Sequence, residues 1–147
     1  MSTAADPFDL QRFVDAQASA YAQALAELRA GHKHTHWIWY VLPQLQGLGS
    51  SAMARRYAIA SLAEARAYLA HPLLGARLRE CVAALNAHRG RLGAVQILGD
   101  VDAVKCRSCL TLFEAAAASA EPLFAEALDG FYGGVRDAAT LLRLTEP

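Results

Sequence analysis

Apolar residues recur at three- and four-residue intervals in segment after segment of this chain, and most of the runs close on glycine or proline. That period lines one face of an α-helix, whereas a half-buried strand would alternate. Leu10, Phe13, Val14, Tyr21, Leu25 and Leu28 predict a first helix, opened by Asp6-Pro7 and stopped by Gly31. Ser61-Leu62-Ala63-Glu64 has capping-box spacing and opens another, which ends near His71-Pro72. Leu74, Leu78, Cys81, Val82 and Leu85 mark the next, and Asp100 or Asp102 opens a long one through Phe113 and Ala118. Glu121-Pro122 starts a helix that ends at Gly133-Gly134, and Asp137 caps a final turn. Val95–Leu98 could be a strand or one helical turn, and periodicity does not decide. The expected fold is all-α: a compact single-domain bundle of about six to eight helices over residues 1–147.

Composition narrows the function classes. With 54% apolar and 19% charged residues, the chain can bury a core and is not of disordered type. Fourteen lysines and arginines balance fourteen acids, which leaves no basic footprint for nucleic acid or an anionic membrane surface. No apolar run is long enough to span a bilayer, and Met1–Asp6 lacks the basic and apolar regions of a signal peptide. Three cysteines, an odd number, fit a reducing cytoplasm better than a disulfide framework.

Polar chemistry concentrates in His32-Lys33-His34-Thr35-His36-Trp37-Ile38-Trp39-Tyr40-Val41-Leu42-Pro43-Gln44. This stretch reads as a short helix or buried turn that ends before Pro43, since a lone strand leaves its backbone unsatisfied. The three alternate histidines converge only on extended chain, where they could hold zinc with an open position. On a helix they spread through about 200°, so no metal is expected. Cys106-Arg107-Ser108-Cys109 is a C-x-x-C, but it lies well inside a helix with no second pair, so packing cysteines are the expected reading. Lys105 has Val101, Ser108, Cys109 and Leu112 as helical neighbours, which puts a cation on a stripe expected to face the core. It must snorkel, pair with an acid such as Asp102, or meet a ligand. Gln17 is a similar exception, one turn from both Phe13 and Tyr21, and a buried amide there needs hydrogen-bond partners. The common nucleotide-binding, hydrolase and zinc-protease motifs are absent.

The run Phe13-Val14-Asp15-Ala16-Gln17, followed by His36–Gln44 and Gly47-Leu48-Gly49, resembles a small, mostly bacterial family known as domain of unknown function 1810. The resemblance continues through Tyr57, Glu64-Ala65, Tyr68-Leu69 and His71-Pro72. It resumes at Gly99, Asp102, Lys105, Ser108 and Thr111-Leu112-Phe113, and closes with Asp137 and Thr140. It implies an all-α, single-domain, cytosolic protein. Family members usually carry leucine and serine in the region of Cys106 and Cys109, and His32 and His34 lie outside the motif, which weighs against redox and metal roles. Some members are labelled calpastatin-like. That label implies a disordered, polar inhibitor and does not suit a chain that is 54% apolar.

Gln17, His36, Gln44, Lys105 and Ser108 are therefore the expected lining of a polar pocket, with Trp37 as a wall. Lys105 would be the cation toward a small anionic metabolite. Gln17, Gln44 and Ser108 would donate or accept hydrogen bonds, and His36 would act as acid, base or hydrogen-bonding group. No cofactor is expected, and the chain could be an enzyme or a binder. The alternative is a protein-interaction module in which these polar residues only tie the core together. Convergence on one cavity favours the first reading; dispersal with an exposed apolar patch favours the second.

Overall fold

The computed structural model describes residues 5–145 and is 62% helical. Among the described residues it contains ten helices and no strand, so the chain is all-α with more, shorter helices than the sequence suggests. The helices are α1 (Gln11–Gln17), α2 (Tyr21–Ala30), α3 (Ile38–Val41), α4 (Ala52–Arg56) and α5 (Leu62–Ala70). They continue with α6 (Leu74–Asn86), α7 (Ala94–Leu98), α8 (Asp100–Ala116), α9 (Leu123–Tyr132) and α10 (Ala138–Thr145). None is long and apolar enough to cross a membrane. The signal-peptide reading falls partly on residues 1–4, which lie outside the described residues.

Side chains set several helix starts. Ser51 Oγ accepts from Ala54 N at 3.1 Å, Ser61 Oγ from Glu64 N at 3.1 Å, and Asp137 Oδ2 from Thr140 N at 2.9 Å. Glu64 departs from the standard capping box: its Oε1 accepts from Ala60 N at 2.9 Å, one residue before the cap, while Oε2 holds Arg12 of α1 at 2.9 Å. Asp6 caps from a distance, accepting from Leu10 N and Gln11 N at 2.8 and 2.9 Å, so the first helix starts at Gln11 rather than at Pro7. Those two backbone donors hold the Asp6 carboxyl below its ordinary range. Gly31, at φ 80°, ends α2 in the left-handed region that a residue with a Cβ avoids.

The expected first helix is interrupted at Ala18–Ala20, so that α1 and α2 are separate. Val95–Leu98 resolves as the helical turn α7, and the isolated parallel bridge Leu45–Ile59 is the sole β-type pairing among the described residues. Helix α8 is the axis, packed by α3, α5, α7, α9 and α10, while α6 packs on α2, α5 and α9. A chain of rings threads the core: Tyr57–Phe13–Tyr68–Phe113–Phe124, with successive centroids 5.8, 5.2, 5.3 and 6.2 Å apart. One hydrophobic cluster joins these rings to residues from Leu10 to Leu128. Cys81, Cys106 and Cys109 are free and buried in it, and burial pushes the Cys81 and Cys106 thiols up to about 12. Cys109 is pushed up as well by the same cause.

Candidate functional site

The organising group of the polar region is a carboxylate. Glu27 lies in the last turn of α2, where the helix dipole disfavours an acid, and it is 3% exposed. Its oxygens accept from His34 N at 2.7 Å, Thr35 N at 3.0 Å, Thr35 Oγ1 at 2.6 Å, Trp37 Nε1 at 3.0 Å and Gln23 Nε2 at 2.8 Å. The residues after Gly31 are thereby wrapped around one charge, and Trp37 is fixed in the core at its indole N–H. Burial by itself pushes this carboxyl up. The Thr35 hydroxyl and N–H, with Gln23 and Trp37, outweigh burial and hold it far below the ordinary range.

Lys33 is anchored by the same loop. Its N–H donates to Ile97 O at 2.7 Å, and its ammonium meets Asp102 Oδ2 at 2.8 Å with only 7% of the side chain exposed. The ammonium also lies 5.0 Å from the centroid of the Trp37 ring. Asp102 opens toward a second cation: Lys105, one turn along α8, stands 4.0 Å from Oδ1 and 5.3 Å from the Trp39 centroid. Two ammonium groups thus share one carboxylate, and the closer one is Lys33. The Trp39 indole N–H is buried and has no acceptor among the described residues. The trio carries one uncompensated positive charge beside an unused donor. Both features suit an acceptor or an anion.

The structure places the six sequence-selected residues as follows. Trp37 and Lys105 belong to this cluster, and Ser108 follows Lys105 by one turn, buried, with its hydroxyl donating to Val104 O at 3.3 Å. His36 is exposed, and its carbonyl accepts from the Tyr40 hydroxyl at 3.2 Å. Gln17 is committed within the core: Nε2 donates to Tyr40 O at 2.7 Å and Tyr68 OH at 3.2 Å, and Oε1 accepts from Arg77 at 3.3 Å. Gln44 is half-buried, and its backbone carbonyl accepts from Ile59 N at 2.9 Å. Four surface depressions are lined by other residues. Lys105 is less enclosed than its helical stripe suggests: its side chain is 25% exposed, and Val101, one turn earlier, is 68% exposed.

Glu27 and Lys33 escape the sequence reading. An acid in the last turn before the Gly31 stop was the available signal for Glu27, because such a carboxylate needs donors from beyond its own helix. His32 Nδ1 and His34 Nε2 lie 3.1 Å apart on the exposed side of the same loop. Among the described residues no three histidine, cysteine or acidic side chains are grouped as a metal site would require.

Residues 7–144 match the family described as "Protein of unknown function (DUF1810)". The chain belongs to that family. A solved structure similar to this chain is that of the conserved hypothetical protein Rv1873 from Mycobacterium tuberculosis, determined by crystallography at 1.38 Å. It is 49% identical to this chain and superposes with a TM-score of 0.92, covering 97% of this chain and 100% of its own. No curated protein matches the chain. Family and fold are thus established for this chain.

Proposed function

We propose that this chain is a cytoplasmic binder of a small anionic metabolite, held at the junction of α3 and α8. The supporting observation is the Lys33–Asp102–Lys105 trio, in which Lys33 takes the carboxylate at 2.8 Å and Lys105 stands off at 4.0 Å. Lys105 is then the cation that meets a phosphate or carboxylate oxygen, and its 25% exposure gives it a route to one. Trp39 forms an apolar wall that strengthens the interaction by limiting solvent, backed by Trp37 in the core, and His36 is an exposed hydrogen-bonding group nearby in sequence. Gln17 supports the site from within the core by holding the Tyr40 carbonyl of α3. Three free, buried thiols fit a reducing compartment, and the equal numbers of basic and acidic residues argue against nucleic acid as partner.

The test is a thermal-shift screen with inorganic phosphate, pyrophosphate, and mono- and dicarboxylates, run on the wild type, Lys105→Met and Lys33→Met. At least one anion is expected to raise the wild-type Tm, and Lys105→Met is expected to bind it roughly 10- to 150-fold more weakly, the equivalent of a lost charge-assisted hydrogen bond of about 1.5–3 kcal/mol. Without ligand, Lys105→Met is expected to melt close to wild type, because Asp102 keeps Lys33. Lys33→Met is expected to lose about 2 kcal/mol, since it strips the closest partner from a largely buried carboxylate but leaves Lys105 at 4.0 Å. Equal anion response in Lys105→Met and wild type defeats the reading.

A further inference from the structure

A second site lies on the other flank of α8. Between α7, α8 and α9 runs a groove of about 320 Å³, at the low end of small-ligand pockets, about 300–1,000 Å³. Its walls are apolar: Val95 and Val104, each more than half exposed, face Phe131 and the ring of Tyr132. The Tyr132 hydroxyl is already used, donating to Ala103 O at 2.6 Å, so this residue offers the groove only its ring. The cation among these walls is Arg107. Its guanidinium carbon lies 5.9 Å from the Tyr132 centroid, and its Nε is buried without an acceptor. Arg12, Arg79 and Arg136 each hold a carboxylate within 2.9 Å, whereas Arg107 forms no ion pair among the described residues. Asp100, two turns earlier on α8, lines the same groove and makes its far end acidic.

We propose that this groove binds a small apolar monocarboxylate. A planar guanidinium on an aromatic face, with an unused N–H, matches the two oxygens of a carboxylate. An aromatic or branched body then replaces water over Val95, Val104 and Phe131. Asp100 sets the selectivity, because a ligand with a second carboxylate at its far end brings like charges together.

The probe is 3-phenylpropanoate, titrated by calorimetry and by protein-observed NMR, with 3-phenylpropanol and glutarate as comparison compounds. Saturable binding of 3-phenylpropanoate is expected, with shifts centred on α7 to α9 and with the alcohol and the dicarboxylate each at least tenfold weaker. Arg107→Gln and the surface change Val104→Asp are each expected to weaken binding at least tenfold, and Lys105→Met is expected to leave it unchanged. That last arm separates this site from the one at the junction of α3 and α8. No saturable binding, equal binding of the alcohol, or unaltered binding in Arg107→Gln overturns the proposal. So does self-association seen by sedimentation and abolished by Val104→Asp, which would make the flank a contact between copies.

Discussion

Replacing Glu27 by alanine is expected to lower the Tm by roughly 10 °C or more at neutral pH, making it one of the two largest single-residue effects predicted here. The five donors that converge on its carboxylate include two backbone N–H groups and the buried Trp37 indole, while Gln23, His34 and Thr35 lie toward solvent. Alanine supplies no acceptor. Each stranded buried donor costs about 1–3 kcal/mol, reduced where the loop can relax toward water. A net loss of about 3–5 kcal/mol follows, and a chain of this size shifts its Tm by about 3 °C per kcal/mol. Glu27→Gln should fare better. One amide oxygen can still accept from the loop, but its NH₂ faces the Gln23 amide donor.

The same residue predicts an acid limb. In the folded chain the Glu27 carboxyl titrates far below the 4.5 typical of an unfolded glutamate, so the unfolded state takes up the proton first. Its contribution is therefore fully present above about pH 4.5 and is lost progressively as pH falls below that value. Urea unfolding midpoints measured from pH 7 to pH 3 should fall more steeply for the wild type than for Glu27→Gln. Parallel pH profiles, or a Glu27→Ala protein melting within 2 °C or so of wild type, would show that the loop is held by something other than this carboxylate.

Local signals in the sequence were readable because local forces made the structure they announce. The Ser61 and Asp137 caps and the Gly31 and Gly133 stops act within a few residues, and each ends or begins a helix where its chemistry requires. The break at Ala18–Ala20 had no such announcement, since alanine and serine there neither end a helix nor forbid one. It is a tertiary effect: Gln17 is drawn to Tyr40 and Tyr68, and α2 then leaves to pack on α6. The polar cluster divides the same way. Asp102 and Lys105 are one turn apart, so their meeting is visible in the spacing. Lys33, which takes the nearer oxygen of Asp102, arrives from a loop positioned by Glu27, and no local pattern relates those three residues. The apolar stripe through Val101 misled for a related reason. Periodicity says which side chains share a face of α8, but not how far along that face neighbouring helices extend, and Val101 lies beyond them.

Gly75→Ala is the second large effect, and its sign runs against helix propensity. The glycine lies in the first turn of α6, where alanine would ordinarily be favoured by about 1 kcal/mol. Its backbone conformation is not left-handed, so freedom of φ is not the reason for glycine. Space is the reason. After the His71-Pro72 turn, α6 doubles back on α5 so closely that a Cβ at position 75 would lie 2.1 Å from the Leu69 carbonyl oxygen. That oxygen also accepts from Arg79 Nη1 at 3.0 Å, and the same Cβ would come within 2.9 Å of the arginine nitrogen. The Arg79 guanidinium is the end of a flexible side chain and can shift, but the Leu69 carbonyl is backbone and cannot rotate aside. The two helices must separate, loosening Leu74 and Leu78 against Leu69 in the core. A loss of about 3 kcal/mol is expected from overpacking against backbone. Gly93→Ala is the matched control: its Cβ would meet only Gln96 Oε1, at 3.5 Å, and its effect should stay within about 1 kcal/mol. Urea denaturation of both variants decides the matter. Comparable small losses would mean that α5 and α6 can part at little cost, and that the close approach at Gly75 is not what sets their spacing.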